Sequence, residues 1–297
     1  MNETPEAESQ LRAVSALPSG SWAPEAGSNF ALAFFFLSRP QREALRAVYA
    51  FCRHVDDIVD SGALPTQAAA RQLDFWKEEI GRLYAGKAEH PIALRLRPHI
   101  LQFSLPQQAF LDIVAGVRMD LEKTRYETFE ELEKYLYGVA GAVGLLCVEI
   151  FGYRKTPPEE IRSFAVALGN AVQLTNILRD VGTDLERGRI YVPLCDLREC
   201  GYTAEAFIRR EHSAEFVRLM SREHDRAKAF YRQTRNLLHP DDRAAMTAAA
   251  VMAEIYEEVL DKVKAENFRV FFQRVGLSFW RKLYLAGRAW CRAHGIY

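Results

Sequence analysis

Two stretches of this chain place aspartates at helical spacing inside otherwise apolar sequence, and that pairing restricts the fold more than any other feature. The first, Tyr49 to Asp60, contains no Gly or Pro and sets Val48, Phe51, Val55 and Val59 on an apolar face. A 3.6-residue period brings Tyr49, Arg53, Asp56 and Asp60 onto the other face. Like charges one turn apart destabilise a bare helix by a few tenths of a kcal/mol, and Arg53 alone cannot neutralise Asp56, Asp57 and Asp60. The second stretch, Gln173 to Asp184, aligns Gln173, Asn176, Asp180 and Asp184 in the same way. If the two stripes face each other they form a carboxylate cage for hard cations. Mg2+ suits such a cage, because it keeps several waters and binds one or two carboxylates together with substrate phosphates.

The remaining chain reads as helices joined by short breaks. Ser38 to Gln41, Ser104 to Gln107, Thr128 to Glu131 and Thr156 to Glu159 each match a capping box. They open helices expected to end near Asp60, Leu121, Gly152 and Gly188. Further helices fit residues 66–84, 91–103, 203–209, 213–237, 241–266 and 278–293. No β-alternation is found, so the expected fold class is all-α. Residues 1–27 are rich in Pro, Gly, Ser and Glu and are expected to be disordered, leaving 28–297 as one domain. The run Tyr137 to Gly144 contains three glycines in a helical context, each costing up to about 1 kcal/mol relative to Ala. Either a close helix crossing or a smooth wall against a long apolar ligand would account for them.

Composition narrows the function classes. Lys+Arg and Asp+Glu are 39 each, a balance that argues against a general nucleic-acid binder. Five scattered cysteines without C-x-x-C spacing fit reduced thiols in a cytosolic protein. The acidic Met1 to Gln10 segment has no signal-peptide pattern. No run of about 18 apolar residues occurs, so no membrane-spanning helix is expected, while peripheral membrane contact stays open.

Other site chemistries fit poorly. There is no P-loop, no dinucleotide fingerprint and no H-E-x-x-H, and no His has Glu three residues before it, as a di-iron bundle would want. Each acidic stripe carries an adjacent arginine, Arg53 or Arg179, and arginine clamps phosphate well. A metal–phosphate site follows.

Tyr49 to Asp60, Gln173 to Asp184 and Gly188 to Pro193, with Met119-Asp120-Leu121 and Tyr135 to Gly144 between them, resemble the squalene/phytoene synthase family. The resemblance runs from about Phe30 to about Lys282. Arg125-Tyr126 and Arg274 to Ser278 make the chain most similar to bacterial presqualene diphosphate synthases of hopanoid pathways. The resemblance implies an all-α isoprenoid synthase fold, a helical bundle around a central cavity. It implies head-to-head condensation of two farnesyl diphosphates to presqualene diphosphate.

By the same carry-over, Asp56, Asp57, Asp60, Asn176, Asp180 and Asp184 would bind Mg2+, with Mn2+ as the alternative ion. Arg53, Gln173, Asn176 and Arg179 would contact phosphate or the metal shell, and Arg189, Tyr191, Arg274 and Lys282 would be outer phosphate contacts. Tyr49, Tyr137 and Tyr256 would line the reacting centre, with Arg53 and Arg179 beside them. Phe30 and Phe34 would line a prenyl channel. One departure stands out: relatives often carry a basic residue before Ser-Phe, where this chain has Ser28-Asn29-Phe30.

Three alternatives remain. Geranylgeranyl diphosphate could replace the farnesyl substrate, giving phytoene. Dehydrosqualene or squalene could be the end product, the latter needing NADPH. A class I terpene cyclase is a more distant alternative, against which the two-aspartate second motif speaks.

Overall fold

The computed structural model describes residues 29–60, 62 and 64–296, with side chains from Leu32 onward. The sequence expectations for residues 1–27, for Ser28 and for the side chain of Phe30 lie outside these.

In chain order the helices are α1 (Asn29–Phe34), α2 (Arg39–Asp60), α3 (Thr66–Tyr84), α4 (Pro91–Phe103), α5 (Gln107–Glu122), α6 (Phe129–Leu136), α7 (Ala142–Phe151), α8 (Pro158–Arg179) and α9 (Val181–Glu186). There follow α10 (Leu194–Glu199), α11 (Ala204–Ile208), α12 (Ala214–Thr234), α13 (Thr247–Ala265) and α14 (Phe279–Ala293). A π-helical turn, Tyr137–Gly141, joins α6 to α7. Among the described residues only one isolated bridge, Arg125 to Ile190, is β-like. The all-α expectation is met.

Helix α8 is the central strut. It packs on α12, α13, α7 and the π-turn, while α2 packs on α3, α4, α5 and α7. Of the apolar face foreseen for α2, Val48, Phe51 and Val55 are buried, while Val59 is only half-buried and Ile58 is buried in its place. Phe51 sits edge-on to Trp76 and Phe110 at 5.3 and 5.2 Å, which ties α2 to α3 and α5.

Two of the four capping boxes form. Gln41 Oε1 accepts from the Ser38 amide and hydroxyl, and Thr128 accepts from the Glu131 amide. The other two do not. Ser104 instead adopts a left-handed conformation (φ 52°) that ends α4. Thr156 turns to Asp242, whose carboxylate accepts from the Thr156 hydroxyl and from three successive amides, those of Arg154, Lys155 and Thr156. These bonds outweigh burial and hold the Asp242 carboxyl at about 2. A long-range anchor has displaced a local cap at no loss of hydrogen bonds.

The glycine run is a close helix crossing. A Cβ on Gly138 would lie 2.6 Å from the Gly116 Cα, so α5 and the π-turn touch backbone to backbone. Its neighbours Val139, Ala140 and Val143 also line an apolar cavity, so both readings of this run apply. The helix foreseen from Thr128 to Gly152 runs over Phe129–Phe151 and, against the expectation that no such segment occurs, is long and apolar enough by length and composition to cross a membrane. It packs within the bundle, against α5 and α8.

Candidate active site

Two cavities meet between α2 and α8. The inner one, about 310 Å³, is lined by Phe34, Leu37, Val48, Tyr49, Val143 and Leu168 among other apolar residues. The outer one, about 380 Å³, is lined by Asp56, Asp60, Asp120, Asp180, Asp184 and four arginines, with Tyr135, Tyr191 and Tyr256. Arg53, Asp56, Val139, Gln173 and Asn176 border both. One continuous space therefore has a charged mouth and an apolar interior.

The two acidic stripes are built differently. That of α2 lies on an unbroken helix, as its spacing requires. That of α8 does not continue to Gly188: the helix ends at Arg179, and Asp180 leaves helical geometry at φ −101°, ψ 15° before α9 resumes. The cause is tertiary. Gly182 packs so tightly on the 268–276 segment that a Cβ would lie 2.3 Å from the Phe271 carbonyl oxygen. Its amide donates to the Val270 carbonyl at 3.2 Å. That docking delivers Arg274, whose Nε donates to Asp180 Oδ1 at 2.9 Å.

Charge is distributed unevenly across these residues. Asp180 is clamped by Arg179 and Arg274; burial raises its pKa, but the two guanidiniums outweigh burial and hold it below the usual carboxylate range. Asp60 accepts from Arg187 and Arg189, each at 2.8 Å. Asp56 and Asp184 have no such clamp. Burial, and then the neighbouring Asp60 or Asp180 charge, pushes each up to about 7. Asn176 donates to Gln173 at 3.2 Å, while its buried Oδ1 has no partner.

This donor set fits a hard divalent cation. It offers two uncompensated carboxylates and an orphaned carbonyl oxygen at the boundary of the two cavities. Among the described residues no three His, Cys, Asp or Glu side chains converge on one point, so water and phosphate oxygens would complete the coordination, the mode Mg2+ favours.

Tyrosines and basic residues surround this centre. Tyr49 borders the inner cavity and Tyr256 the outer one, the latter bonded to Arg179. Lys282, on α14, stands close enough to Arg179 and Arg274 that burial and those two charges lower its pKa.

Some expected residues lie elsewhere. Tyr137 lines neither cavity; its hydroxyl donates to Asp112 at 2.6 Å. Tyr135, two residues earlier on α6 and therefore on nearly the opposite side of the helix, lines the outer cavity instead. Asp57 points off the stripe and pairs with Arg53 at 3.0 Å on an exposed surface, because consecutive residues on a helix diverge by about 100°.

Three site residues had escaped selection: Asp120, Tyr135 and Arg187. Asp120 accepts from Tyr191 at 2.8 Å, lies 3.0 Å from the Tyr135 hydroxyl and 3.8 Å from Arg189. The Tyr135 and Tyr191 rings stack at 5.0 Å. A single aspartate ending the apolar α5 was the available signal for Asp120. Arg187, next to Gly188 in the turn after α9, had none beyond its neighbour Arg189.

Comparison with known proteins agrees with this geometry. The family model for squalene/phytoene synthase matches residues 23–281. A phytoene synthase from Arthrospira platensis is 36% identical over 270 residues, 85% of each chain. A 15-cis-phytoene synthase from Synechocystis is 35% identical, covering 89% of this chain and 81% of that one. Among solved structures, a dehydrosqualene synthase in complex with ligand superposes with a TM-score of 0.79 at 28% identity over 98% of both chains. The squalene synthase HpnC from Alicyclobacillus acidocaldarius gives 0.73 at 31% identity, over 88% of this chain and 94% of that one. The chain belongs to the squalene/phytoene synthase family, whose members condense prenyl diphosphates head to head.

Proposed function

We propose that this protein condenses two farnesyl diphosphates to presqualene diphosphate, releasing one diphosphate, with Mg2+ or Mn2+ as cofactor. The observation that carries this reading is the pair of uncompensated carboxylates, Asp56 and Asp184, across a mouth that opens into an apolar cavity. Asp56, Asp60, Asp180, Asp184 and Asn176 would hold the cation. Bound there, it would supply positive charge to the diphosphate oxygens as negative charge develops on them.

Arg53, Arg179, Arg189, Arg274 and Lys282 hold the diphosphates in a preorganised field, which stabilises the leaving group without reorganisation at the moment of reaction. The allylic C–O bond of one substrate breaks and its electron pair leaves with diphosphate. The 2,3 double bond of the second substrate attacks the allylic carbon. Loss of a proton closes a cyclopropane, and the second substrate keeps its own diphosphate. Tyr135, Tyr191, Tyr256 and the departing diphosphate are the acceptors at hand for that proton. The apolar walls keep water from the cation.

The same reading includes peripheral contact with a lipid surface, the destination of a product too apolar for water. Phe279, Trp280, Leu283 and Tyr284 on α14 are all exposed, Trp280 by 75%. Arg281, Arg288 and Arg292 on α14 pair with Glu258 and Glu254 of α13, so the exposed apolar side chains carry this contact. Helix α14 packs on α1, which walls the inner cavity. Co-sedimentation with lipid vesicles is expected, and equal recovery from the supernatant with and without vesicles would remove this part.

The main test is product analysis with Mg2+ and farnesyl diphosphate, with and without NADPH, and separately with geranylgeranyl diphosphate. Presqualene diphosphate that persists with NADPH is the expected result, and a cyclised hydrocarbon without coupled product would overturn it. A second reading, phytoene from geranylgeranyl diphosphate, is favoured by the phytoene synthases at 36% and 35% identity.

A further inference from the structure

The inner cavity ends against a thin wall, and behind that wall lies a third cavity of about 660 Å³ between α12, α13 and α14. Two residues line both spaces: Phe164 on α8 and Ala249 on α13. Each is only 5% exposed. They belong to a small apolar cluster with Val148, Ile161, Ala165 and Met246, separate from the main core. The far side is of mixed character, with Leu238 and Ala253 beside Lys228 and Glu257.

We infer that Phe164, seated against Ala249, is the end wall of the prenyl cavity and sets the longest chain the enzyme accepts. This rests on the prenyl diphosphate reading above. Asn176, at the diphosphate end, and Phe164 are twelve residues apart on α8, about 18 Å at 1.5 Å per residue. An extended carbon chain advances about 1.2 Å per bond, judged from the reach of an extended backbone. A farnesyl main chain then spans about 13 Å and a geranylgeranyl chain about 18 Å. The shorter chain stops before the Phe164 ring, and the last isoprene unit of the longer one meets it. Replacing Phe164 by Ala removes one ring of carbon, about the bulk of one isoprene unit, and joins the prenyl cavity to the space behind.

The experiment gives purified wild type, Phe164→Ala and Ala249→Leu an equimolar mixture of farnesyl and geranylgeranyl diphosphates with Mg2+. The ratio of the coupled products is then measured. Phe164→Ala should raise the geranylgeranyl-to-farnesyl ratio roughly ten-fold or more, and Ala249→Leu should lower it. An unchanged ratio in both folded variants, judged by circular dichroism and melting temperature, would overturn the inference. Should Phe164→Ala not fold, Phe164→Leu serves in its place. A parallel arm measures binding of the unreactive farnesyl and geranylgeranyl thiolodiphosphates. If the wild type forms no coupled product, the reaction reading falls while these affinities still test the wall. Equal relative affinity for the two lengths in wild type and variants would overturn it there too.

Discussion

The two acidic lips of the mouth carry similar residues and are held by different forces. The α2 lip is a plain helix: Arg53, Asp56 and Asp60 point together because the backbone repeats every 3.6 residues. The α8–α9 lip is broken at Asp180, and its shape depends on Gly182 docking against Val270 and Phe271 from far along the chain. Each lip nevertheless ends with one clamped aspartate and one unclamped. Asp60 and Asp180 are held by arginine pairs, and Asp56 and Asp184 are not. Clamped carboxylates fix the arginines for phosphate, and unclamped ones keep a site open for a cation.

The largest effect should come from removing an unclamped group. Asp56→Ala or Asp184→Ala is expected to lower turnover by about a thousand-fold or more, with the circular dichroism spectrum unchanged. Turnover within a few-fold of wild type would mean that the cation site has been misplaced.

Breaking the second lip indirectly is the sharper test of the comparison. Gly182→Ala forces a Cβ against backbone that cannot move away. A stability loss of about 1–3 kcal/mol is expected, together with an activity loss that Gly81→Ala, on the open face of α3 without close neighbours, should not share. Thermal melts and steady-state rates on both variants decide it.

The pH dependence of cation binding should follow the unclamped pair. Between the ordinary carboxylate range near 4 and about 7, folded Asp56 and Asp184 hold protons that the unfolded chain releases. Their contribution to stability therefore falls as pH rises through this window. A divalent cation must displace the same protons, so the Mg2+ concentration giving half the thermal shift should drop roughly ten-fold per unit from pH 6 to 7, then level off. A flat profile would show the aspartates already ionised. Asp242 has the opposite sign: its depressed pKa adds stability above pH 4 that is lost as pH falls toward 2.

The smallest effect separates two neighbouring tyrosines. Tyr137→Phe should leave turnover unchanged, since its hydroxyl serves Asp112. Tyr135→Phe, which removes a hydroxyl from the Asp120 network, should lower turnover about ten- to a hundred-fold. Equal rates for the two would take Tyr135 out of the mechanism.

Much of this was legible from residues alone. Helical periodicity revealed the α2 stripe, because one element positions all its members. It also brought Gln173 and Asn176 to the site, while the glycines of Tyr137 to Gly144 left a close crossing and a ligand wall as alternatives, both of which apply. It failed where a local rule met a long-range contact. Thr156 matches a capping box but bonds Asp242 across 86 residues, and the Tyr137 hydroxyl is taken up by Asp112 on α5 rather than by the site.

By itself the sequence determined that the chain is helical, that two acidic stripes lie on apolar helices, and that arginines accompany them. All of these are near-neighbour properties, set by spacing along one helix. Only the tertiary structure decided which aspartates are clamped, where α8 breaks, and where the prenyl cavity ends. Those depend on side chains far apart in sequence, Arg274 on Asp180 and Phe164 against Ala249, brought together when buried surface and backbone contact select one packing of the helices.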